Sequence, residues 1–523
     1  MPCLLDGTRQ LIETPTIDQS EVIGFLRSRA AWPEATGDVD VIETHGALIF
    51  MCGADALKIK RAVRLAYLDF STLELRATFI TREYEINAPN APDIYRGVVA
   101  ITREADGRLV VGGGGEPVDW ALSMRRFSQD DVLSNVVDQG RLEKPLAIAL
   151  ADAVAASHAR APRLSSPADT TGATAHSIVS ALSTCEDPGV RGVTAELARV
   201  LAAAAAASCG VRDARARDGY VRRCHGDLHL ANVVLWNGLP VLFDALEFDE
   251  QLATIDTLYD LAFLLMDLER HRARLTANVI LNRYLWRTGD PRDLDGLVAM
   301  PLFLGLRAAV RAMVALDRAG SMPDQRARLT AHAVETLHLA IALATPMPPR
   351  LVVIGGLSGT GKTTLAARLA PGLGAAPGAI HLRSDLERKW LAGVGEFDHL
   401  PPSAYTPAAS MAVFERVYDR ARCALVAGHS VVVDGVFALP HERAAVEAIA
   451  RQAGVRFDGV WLEAAPEILK QRVATRVGDA SDATPAVVDM QLAMDTGNVE
   501  WPRYMSGGPP DVLHRQLLTT LGL

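Results

Sequence analysis

Two stretches of this chain hold residue types that could handle a polyphosphate. The first is Gly356-Leu-Ser358-Gly359-Thr360-Gly361-Lys362-Thr363-Thr364, which follows the apolar run 351–354 and precedes Leu365-Ala-Ala-Arg-Leu369 with its helical spacing. Strand, glycine-rich turn and helix in that order are the context a phosphate-binding loop requires. The glycines let successive N–H groups point into one concavity, and the helix N-terminus adds partial positive charge there. Lys362 is placed to reach the β- and γ-phosphates of a nucleotide, and Thr363 to offer its hydroxyl to Mg²⁺.

The second stretch is His225-Gly-Asp227-Leu-His-Leu-Ala-Asn232, followed by apolar residues 233–236, Asn237-Gly238, apolar residues 239–243, and Asp244. Asn-Gly between two apolar runs is the strongest short hairpin signal, because both turn residues must take positive φ. A two-residue loop makes Trp236 face Leu239 and brings Asn232 and Asp244 side by side at the open end. Asp227, five residues before Asn232, can return over that end. Two carboxylates and an amide around one point offer hard oxygen ligands for Mg²⁺ and a base for a hydroxyl.

Four further features carry weaker signals. Lys60 at a strand end and Glu83 on a helix invite comparison with the lysine–glutamate pair that kinases use to hold nucleotide phosphates. Lys58, on the same strand face, competes for that role. Asp385 and Asp434 each follow an apolar run, where an α/β sheet places its ligands; each could serve a metal-held water or a substrate proton, or act as a cap or loop residue. Arg472 and Arg476 lie four apart on one helix face. They suit either a phosphate clamp or an exposed basic face. The segment Gly478-Asp-Ala-Ser-Asp482 is polar and suited to a mobile lid.

The segment 225–249 resembles the catalytic loop of aminoglycoside phosphotransferases and related small-molecule kinases. That resemblance implies Asp227 as catalytic base, Asn232 and Asp244 as Mg²⁺ ligands, and Lys60 with Glu83 as the phosphate pair. Glu247 and Asp249 depart from the family pattern and read as a substrate or cation site or, more simply, a solvated loop. Arg270, Arg272, Arg274, Arg307, Arg311 and Arg318 stand where that family would carry acidic residues, so an anionic or sugar-like acceptor fits as well as an aminoglycoside. The P-loop, Ser384-Asp385-x-x-Arg388-Lys389 and the arginine helix resemble the small P-loop kinases grouped with gluconate kinase, chloramphenicol phosphotransferase and zeta-toxin-like kinases. There the resemblance implies Asp385 as base. The whole chain is similar to bacterial fusions of a phosphotransferase-like domain with a P-loop kinase-like domain.

The elements that must position these groups are legible in outline. A helix is expected over 17–31, strands over 39–44, 47–52 and 56–60, and a helix from a Ser71-Thr-Leu-Glu74 capping box to about Asn87. A strand over 119–127 could form an adenine hinge at Met124-Arg-Arg-Phe127. Helices are expected over about 253–288 and 300–343. Pro346, Pro348 and Pro349 mark a linker. Beyond it, apolar runs at 379–383, 430–433 and 459–462 alternate with helical patterns, which argues for a parallel sheet covered on both faces. The expected class is α/β multidomain: a bilobal protein-kinase-like domain over 1–345 (lobes about 35–127 and 128–343), then a P-loop domain over 346–523.

With 523 residues the chain exceeds what one core organises. Its net charge of −9 argues against nucleic-acid binding driven by charge. Cys3, Cys52, Cys185, Cys209, Cys224 and Cys423 are scattered without metal-ligand spacing and read as free thiols in a reducing compartment. Asp6, Arg9 and Glu13 interrupt any N-terminal signal pattern, and no membrane span is expected, so a cytoplasmic protein is anticipated. ATP and Mg²⁺ are the expected cofactors, and small-molecule hydroxyls the expected acceptors. The competing expectations are a regulatory nucleotide site that controls the other, or a kinase of nucleotide sugars. The oligomeric state stays open.

Overall fold

The computed structural model describes residues 18–44, 46–65, 68–164 and 168–522. Cys3, Asp6, Arg9, Glu13, Ile17 and His45 lie outside the described residues. The chain forms two compact units that interleave in sequence. One holds residues to Ala202, Asp213–Asp267 and Arg307–His338; the other holds Ala203–Arg212, Leu268–Leu306 and Leu339–Leu523. A single cut at the proline linker was expected, yet residues 268–306 pack with the P-loop part.

In the first unit, helix α1 (Ser20–Arg27) precedes strands β1 (Asp40–Glu43), β2 (Ala47–Cys52) and β3 (Asp55–Lys60). Helix α2 (Leu73–Asn87) follows, then β4 (Tyr95–Arg103), β5 (Leu109–Val111) and β6 (Glu116–Arg125). These six strands form one antiparallel sheet in the order β1-β2-β3-β6-β4-β5. Strand alternation sends Leu57 and Ile59 to one face, where they join Val22, Leu26 and Trp32 in a buried cluster. Ala56, Lys58 and Lys60 face the other side, toward α2. The cap of α2 is Thr72, whose hydroxyl accepts from Leu75 N–H at 3.2 Å; Ser71, the expected cap, instead bonds Asp69.

The Asn-Gly hairpin forms as expected: β7 (Val233–Trp236) pairs with β8 (Leu239–Leu242), and Asn237 and Gly238 have φ of 52° and 79°. The helix expected over 253–288 is two helices, Thr257–Arg270 and α3 (Arg274–Thr288), broken at Arg272, whose φ is 59°. That over 300–343 is likewise two, Met300–Ser321 and Arg326–Ala344. This unit combines an antiparallel sheet with helices, an α+β arrangement.

In the second unit, β9 (Arg350–Gly356) runs into helix α4 (Lys362–Leu369). Strand β10 (Ile380–Arg383) leads into α5 (Ser384–Leu391), and α6 (Pro407–Val426) leads into β11 (Val431–Asp434). Strand β12 (Arg456–Glu463) is followed by α7 (Pro466–Ala474), and β13 (Arg503–Met505) closes the sheet. The five strands are parallel in the order β10-β11-β9-β12-β13. The short β13 carries no apolar run and escaped the sequence reading. Val352, Ile354, Val432 and Val460 are buried against Leu365 and Leu369 of α4, as expected for a sheet covered by helices. Helix α3 belongs to this unit: Trp286 Nε1 donates to Leu386 O at 3.0 Å, and Arg420 donates to Leu285 O at 3.2 Å.

Two stretches, Pro188–Arg217 and Pro291–Ser321, are long and apolar enough to cross a membrane by length and composition, where none was expected. The second has two-thirds of its most apolar window buried inside the protein, which is what a core helix requires. The five described cysteines are free thiols.

Candidate functional site

The first unit gathers its charged side chains around β3. Lys58 Nζ lies 2.7 Å from Glu83 Oε1 and 2.7 Å from Asp244 Oδ1. Lys60 Nζ lies 2.6 Å from Glu83 Oε2 and also bonds Glu247. Period-two alternation puts both lysines on one face, so one helix glutamate serves both. Burial depresses the Lys58 ammonium, but Asp244 and Glu83 outweigh it and hold the group charged. Burial alone would raise the Glu83 carboxyl; the two lysines bring it well below the usual carboxylate range.

A pocket opens over this face, lined by Ile49, Ala56, Met124, Phe127, Phe243 and, at its polar end, Lys58 and Asp244. The segment 124–127 is the stretch expected as the adenine hinge. Lys58, rather than Lys60, lines the pocket. Lys60 turns instead to Glu247 and sits 5.1 Å from the Phe70 ring centre. Glu247, expected on a solvated loop, is 9% exposed and paired.

Asp244 takes a left-handed φ of 58°, a strained state for a residue with a side chain. Its surroundings hold it there. Asp244 N–H donates to Tyr95 Oη at 3.0 Å, and Ala245 N–H to Asn87 Oδ1 at 2.7 Å. Helix α2 therefore fixes both the glutamate and the loop that carries Asp244.

The catalytic-type loop is pinned from below. Asp260 accepts from His225 N–H at 3.2 Å and Gly226 N–H at 2.9 Å, and Asp267 accepts from Leu230 N–H at 3.0 Å. Arg307 donates to Gly226 O at 3.3 Å with its guanidinium over the Tyr259 ring. His225 Nε2 lies 2.9 Å from Phe243 O, and burial lowers its pKa, so a neutral ring donates there. The sequence reading missed Asp260 and Asp267; their spacing of seven on one amphipathic helix was the available signal. Two of the arginines expected to suit an anionic or sugar-like acceptor have other partners. Arg307 is instead buried beneath the loop, and Arg274 belongs to the second unit, where it donates to Gly374 O.

Asn232 Nδ2 donates to Asp227 Oδ2 at 3.1 Å and to Asp227 O at 2.9 Å. Phe243 N–H donates to Asn232 O at 3.0 Å, which carries Asn232 alongside Asp244. His229 Nδ1 accepts from Ala231 N–H, leaving Nε2–H 3.3 Å from Asp227 Oδ2. Burial pushes the Asp227 carboxyl up, but His229 overrides it and holds the group well below the usual carboxylate range. Asp227 is thus an anion at neutral pH with a free edge to accept a hydroxyl proton.

In the second unit the polar groups of the P-loop bond to neighbouring protein groups. Lys362 Nζ and Thr360 Oγ1 both donate to Leu357 O, at 2.9 and 2.7 Å. Ser358 N–H donates to Gln491 Oε1 at 2.8 Å. Gly356 and Gly359 have φ of 137° and 88°, and a Cβ there would meet Leu462 O at 2.5 Å and Leu469 O at 2.7 Å. Those positions admit only glycine. Gly361, at φ 87°, caps α4, and Thr364 is exposed in its first turn. Burial brings the Lys362 ammonium down to about 8.

Thr363 Oγ1 donates to Asp434 Oδ1 at 3.2 Å, and His381 Nε2 lies 2.7 Å from Asp434 Oδ2. The sequence reading gave His381 no part. Asp385 opens α5; burial raises its carboxyl, with Arg383 opposing. Arg472 donates to Gly359 O at 3.2 Å and to Ser506 O at 2.8 Å, bracing the P-loop backbone. Arg476 lies 3.9 Å from Asp479. The expected lid segment is held at Asp482, which takes Lys389 at 2.7 Å, Tyr405 Oη at 2.6 Å and Leu400 N–H at 3.1 Å.

Both donor sets fit a hard divalent cation: Asn232 and Asp244 in the first unit, Thr363 and Asp434 in the second, all oxygen donors. The glycine cradle of residues 356–361 fits a polyphosphate for the same reason that it excludes side chains.

Residues 351–495 match the AAA domain family. Among solved structures, a choline/ethanolamine kinase family protein from Mesorhizobium loti is 16% identical, with a TM-score of 0.38 over 62% of this chain and 98% of its own. An aminoglycoside phosphotransferase from Streptomyces rimosus is 18% identical, with a TM-score of 0.33 over 56% of this chain and 98% of its own. A sugar kinase from Janibacter sp. is 22% identical, with a TM-score of 0.26 over 34% of this chain and 95% of its own. The uncharacterized protein Rv2004c of Mycobacterium tuberculosis and the uncharacterized protein Mb2027c of Mycobacterium bovis are each 30% identical over 487 residues, which is 90% of this chain and 93% of theirs. Identity of that extent runs through both units, and the chain belongs to the same family as these two mycobacterial proteins.

Proposed function

We propose that this protein is an ATP-dependent phosphotransferase with two sites, each shaped to move the γ-phosphoryl group to a hydroxyl of a small molecule. One observation carries the reading: Lys58 and Asp244 line a single apolar pocket, and backbone pairing of Asn232 with Phe243 sets Asp227 beside it. An apolar floor, a charged lysine, a carboxylate–amide pair and an ionised aspartate together are what phosphoryl transfer needs.

Lys58 would turn from Asp244 to the α- and β-phosphates, and Glu83 would keep the ammonium in place as the Lys58–Asp244 pairing opens. Asn232 and Asp244 would hold Mg²⁺, which when bound neutralises charge developing on the phosphates. Asp227 accepts the acceptor's hydroxyl proton at a free carboxylate oxygen, with His229 Nε2–H and Asn232 Nδ2 fixing its orientation. Its low basicity suits a transition state in which the hydroxyl proton leaves late. In the second unit the N–H groups of 358–363 and Lys362 would take the phosphates, and Thr363 with Asp434 the cation. Asp385, the raised carboxyl at the start of α5, is the base we assign there. Arg476 and Lys362 are the cations available to the transferring group. Five free cysteines among the described residues support a reducing, cytoplasmic location.

The test is a metabolite screen with isotopically labelled ATP, read as a phosphoryl mass shift, on the wild type, Lys58→Met and Lys362→Ala. Products lost with Lys58→Met belong to the first site, and those lost with Lys362→Ala to the second. No phosphorylated product from any metabolite pool, with ATP shown to bind, sinks the proposal.

A further inference from the structure

Strand β10 is the outermost of its sheet, so the backbone groups on its free side have no neighbouring strand. Buried backbone groups need partners. Two asparagines of α3 provide them. His381 N–H donates to Asn282 Oδ1 at 2.7 Å, and Ala379 O accepts from Asn282 Nδ2 at 3.2 Å and Asn278 Nδ2 at 3.0 Å. One carboxamide bonds residues 379 and 381 much as the next strand would.

The strand held this way carries a side chain to the P-loop. His381 pairs with Val432 in the β10–β11 register, so its ring shares a face with Asp434 two residues on. Nε2 of that ring holds Asp434 Oδ2, while Oδ1 takes the Thr363 hydroxyl. Arg383 and Lys362 are the nearby cations toward which an unheld carboxylate would turn.

We propose that Asn282 and His381 are positioning residues of the P-loop site: the carboxamide fixes the strand, and the imidazole turns Asp434 so that it and Thr363 face a divalent cation as a preset pair. The proposal rests on the reading of the P-loop as a Mg·nucleotide site. It extends that site to a helix that precedes the P-loop by some seventy residues in sequence.

The test uses the full chain carrying Lys58→Met as the common parent, so that turnover at the other site is removed and its binding contributes equally to every comparison, and a fluorescent ATP analogue titrated with and without Mg²⁺. Mn²⁺ binding in the presence of a non-hydrolysable ATP analogue, followed by electron paramagnetic resonance, gives a second readout free of turnover. His381→Leu and Asn282→Leu are expected to bind the metal-free analogue within about twofold of the parent. Both should need roughly tenfold more Mg²⁺ for half-maximal tightening and lose Mn²⁺ affinity to the same degree. His381→Gln, whose side-chain N–H still reaches a carboxylate, should stay within about threefold. His381→Ser makes the same comparison if the leucine variant folds poorly. Mg²⁺ and Mn²⁺ dependence unchanged in His381→Leu and His381→Ser overturns the proposal alone. A parent whose analogue binding ignores Mg²⁺ overturns it together with the functional reading.

Discussion

Lys58 Nζ sits 2.7 Å from Asp244 Oδ1, joining positions 186 residues apart in the chain. Lys60, two residues on, shares Glu83 with it yet turns to Glu247. Glu83 therefore bridges two lysines, one at the pocket and one beneath it. Lys58→Met should lower phosphoryl transfer at the first site by about a hundredfold or more, since a charged donor in a water-poor site is lost. Lys60→Met should keep kcat within about tenfold while costing on the order of 3 kcal/mol of stability, because it strands Glu247. Steady-state kinetics and denaturant melts of the two variants separate these effects. Equal kinetic loss in both would reverse the assignment.

Asp227→Asn keeps the shape and the Asn232 contact but removes the proton acceptor. We expect kcat at the first site to fall by about 10²–10⁴ with ATP affinity nearly unchanged. Single-turnover kinetics with a separate nucleotide titration reads both quantities.

Gly359 offers a clean test of the second site. A methyl group there meets the Leu469 carbonyl at 2.7 Å in a backbone conformation with φ 88°. Gly359→Ala should weaken nucleotide binding at the P-loop by about tenfold or more while Lys58-dependent turnover persists. Calorimetry with an ATP analogue should count one strong site in this variant and two in the parent.

His429 predicts an acid liability. It is 1% exposed, bonds Leu297 O at 3.1 Å, and burial lowers its pKa from 6.5 to about 4. The unfolded chain therefore takes up this proton first. Stability falls as pH drops from about 6.5 to about 4, by about 3 kcal/mol in full. His429→Gln, which retains a donor for Leu297 O, should flatten that slope in urea melts at pH 7.5, 6 and 5. A slope identical to wild type would place the liability elsewhere.

Cutting the chain at 345/346 would remove Asn282, Trp286 and Leu297 from the P-loop sheet. A fragment of residues 346–523 should therefore be less stable and more prone to aggregate than the same sheet in the full chain. Hydrogen exchange on β10 reads this directly: protection of His381 N–H should be lost in the fragment.

Much of both sites was legible because it lies in contiguous motifs. The glycines of 356–361 and the Asn-Gly hairpin are local solutions to a backbone problem, and residue type alone reveals them. Lys58 and Lys60 could not be told apart, since strand periodicity gives them the same face and only Asp244 and Glu247, far along the chain, distinguish them. Glu247 read as solvated because nothing near it in sequence is basic. His381 was silent for a similar reason: its partners Asp434 and Asn282 come from 53 and 99 residues away. The allegiance of residues 268–306 was hidden too. An apolar helix face announces that it will be buried, but not against which core.

The interleaved units also set an order for biosynthesis. Asn282 is made 99 residues before the strand amide it receives. At roughly 5–20 residues per second, α3 waits on the order of ten seconds outside the ribosome with that partner still unmade. The P-loop sheet thus cannot mature as a late, autonomous appendage. Its earliest-translated helix must be sheltered, or stay soluble, until the rest arrives.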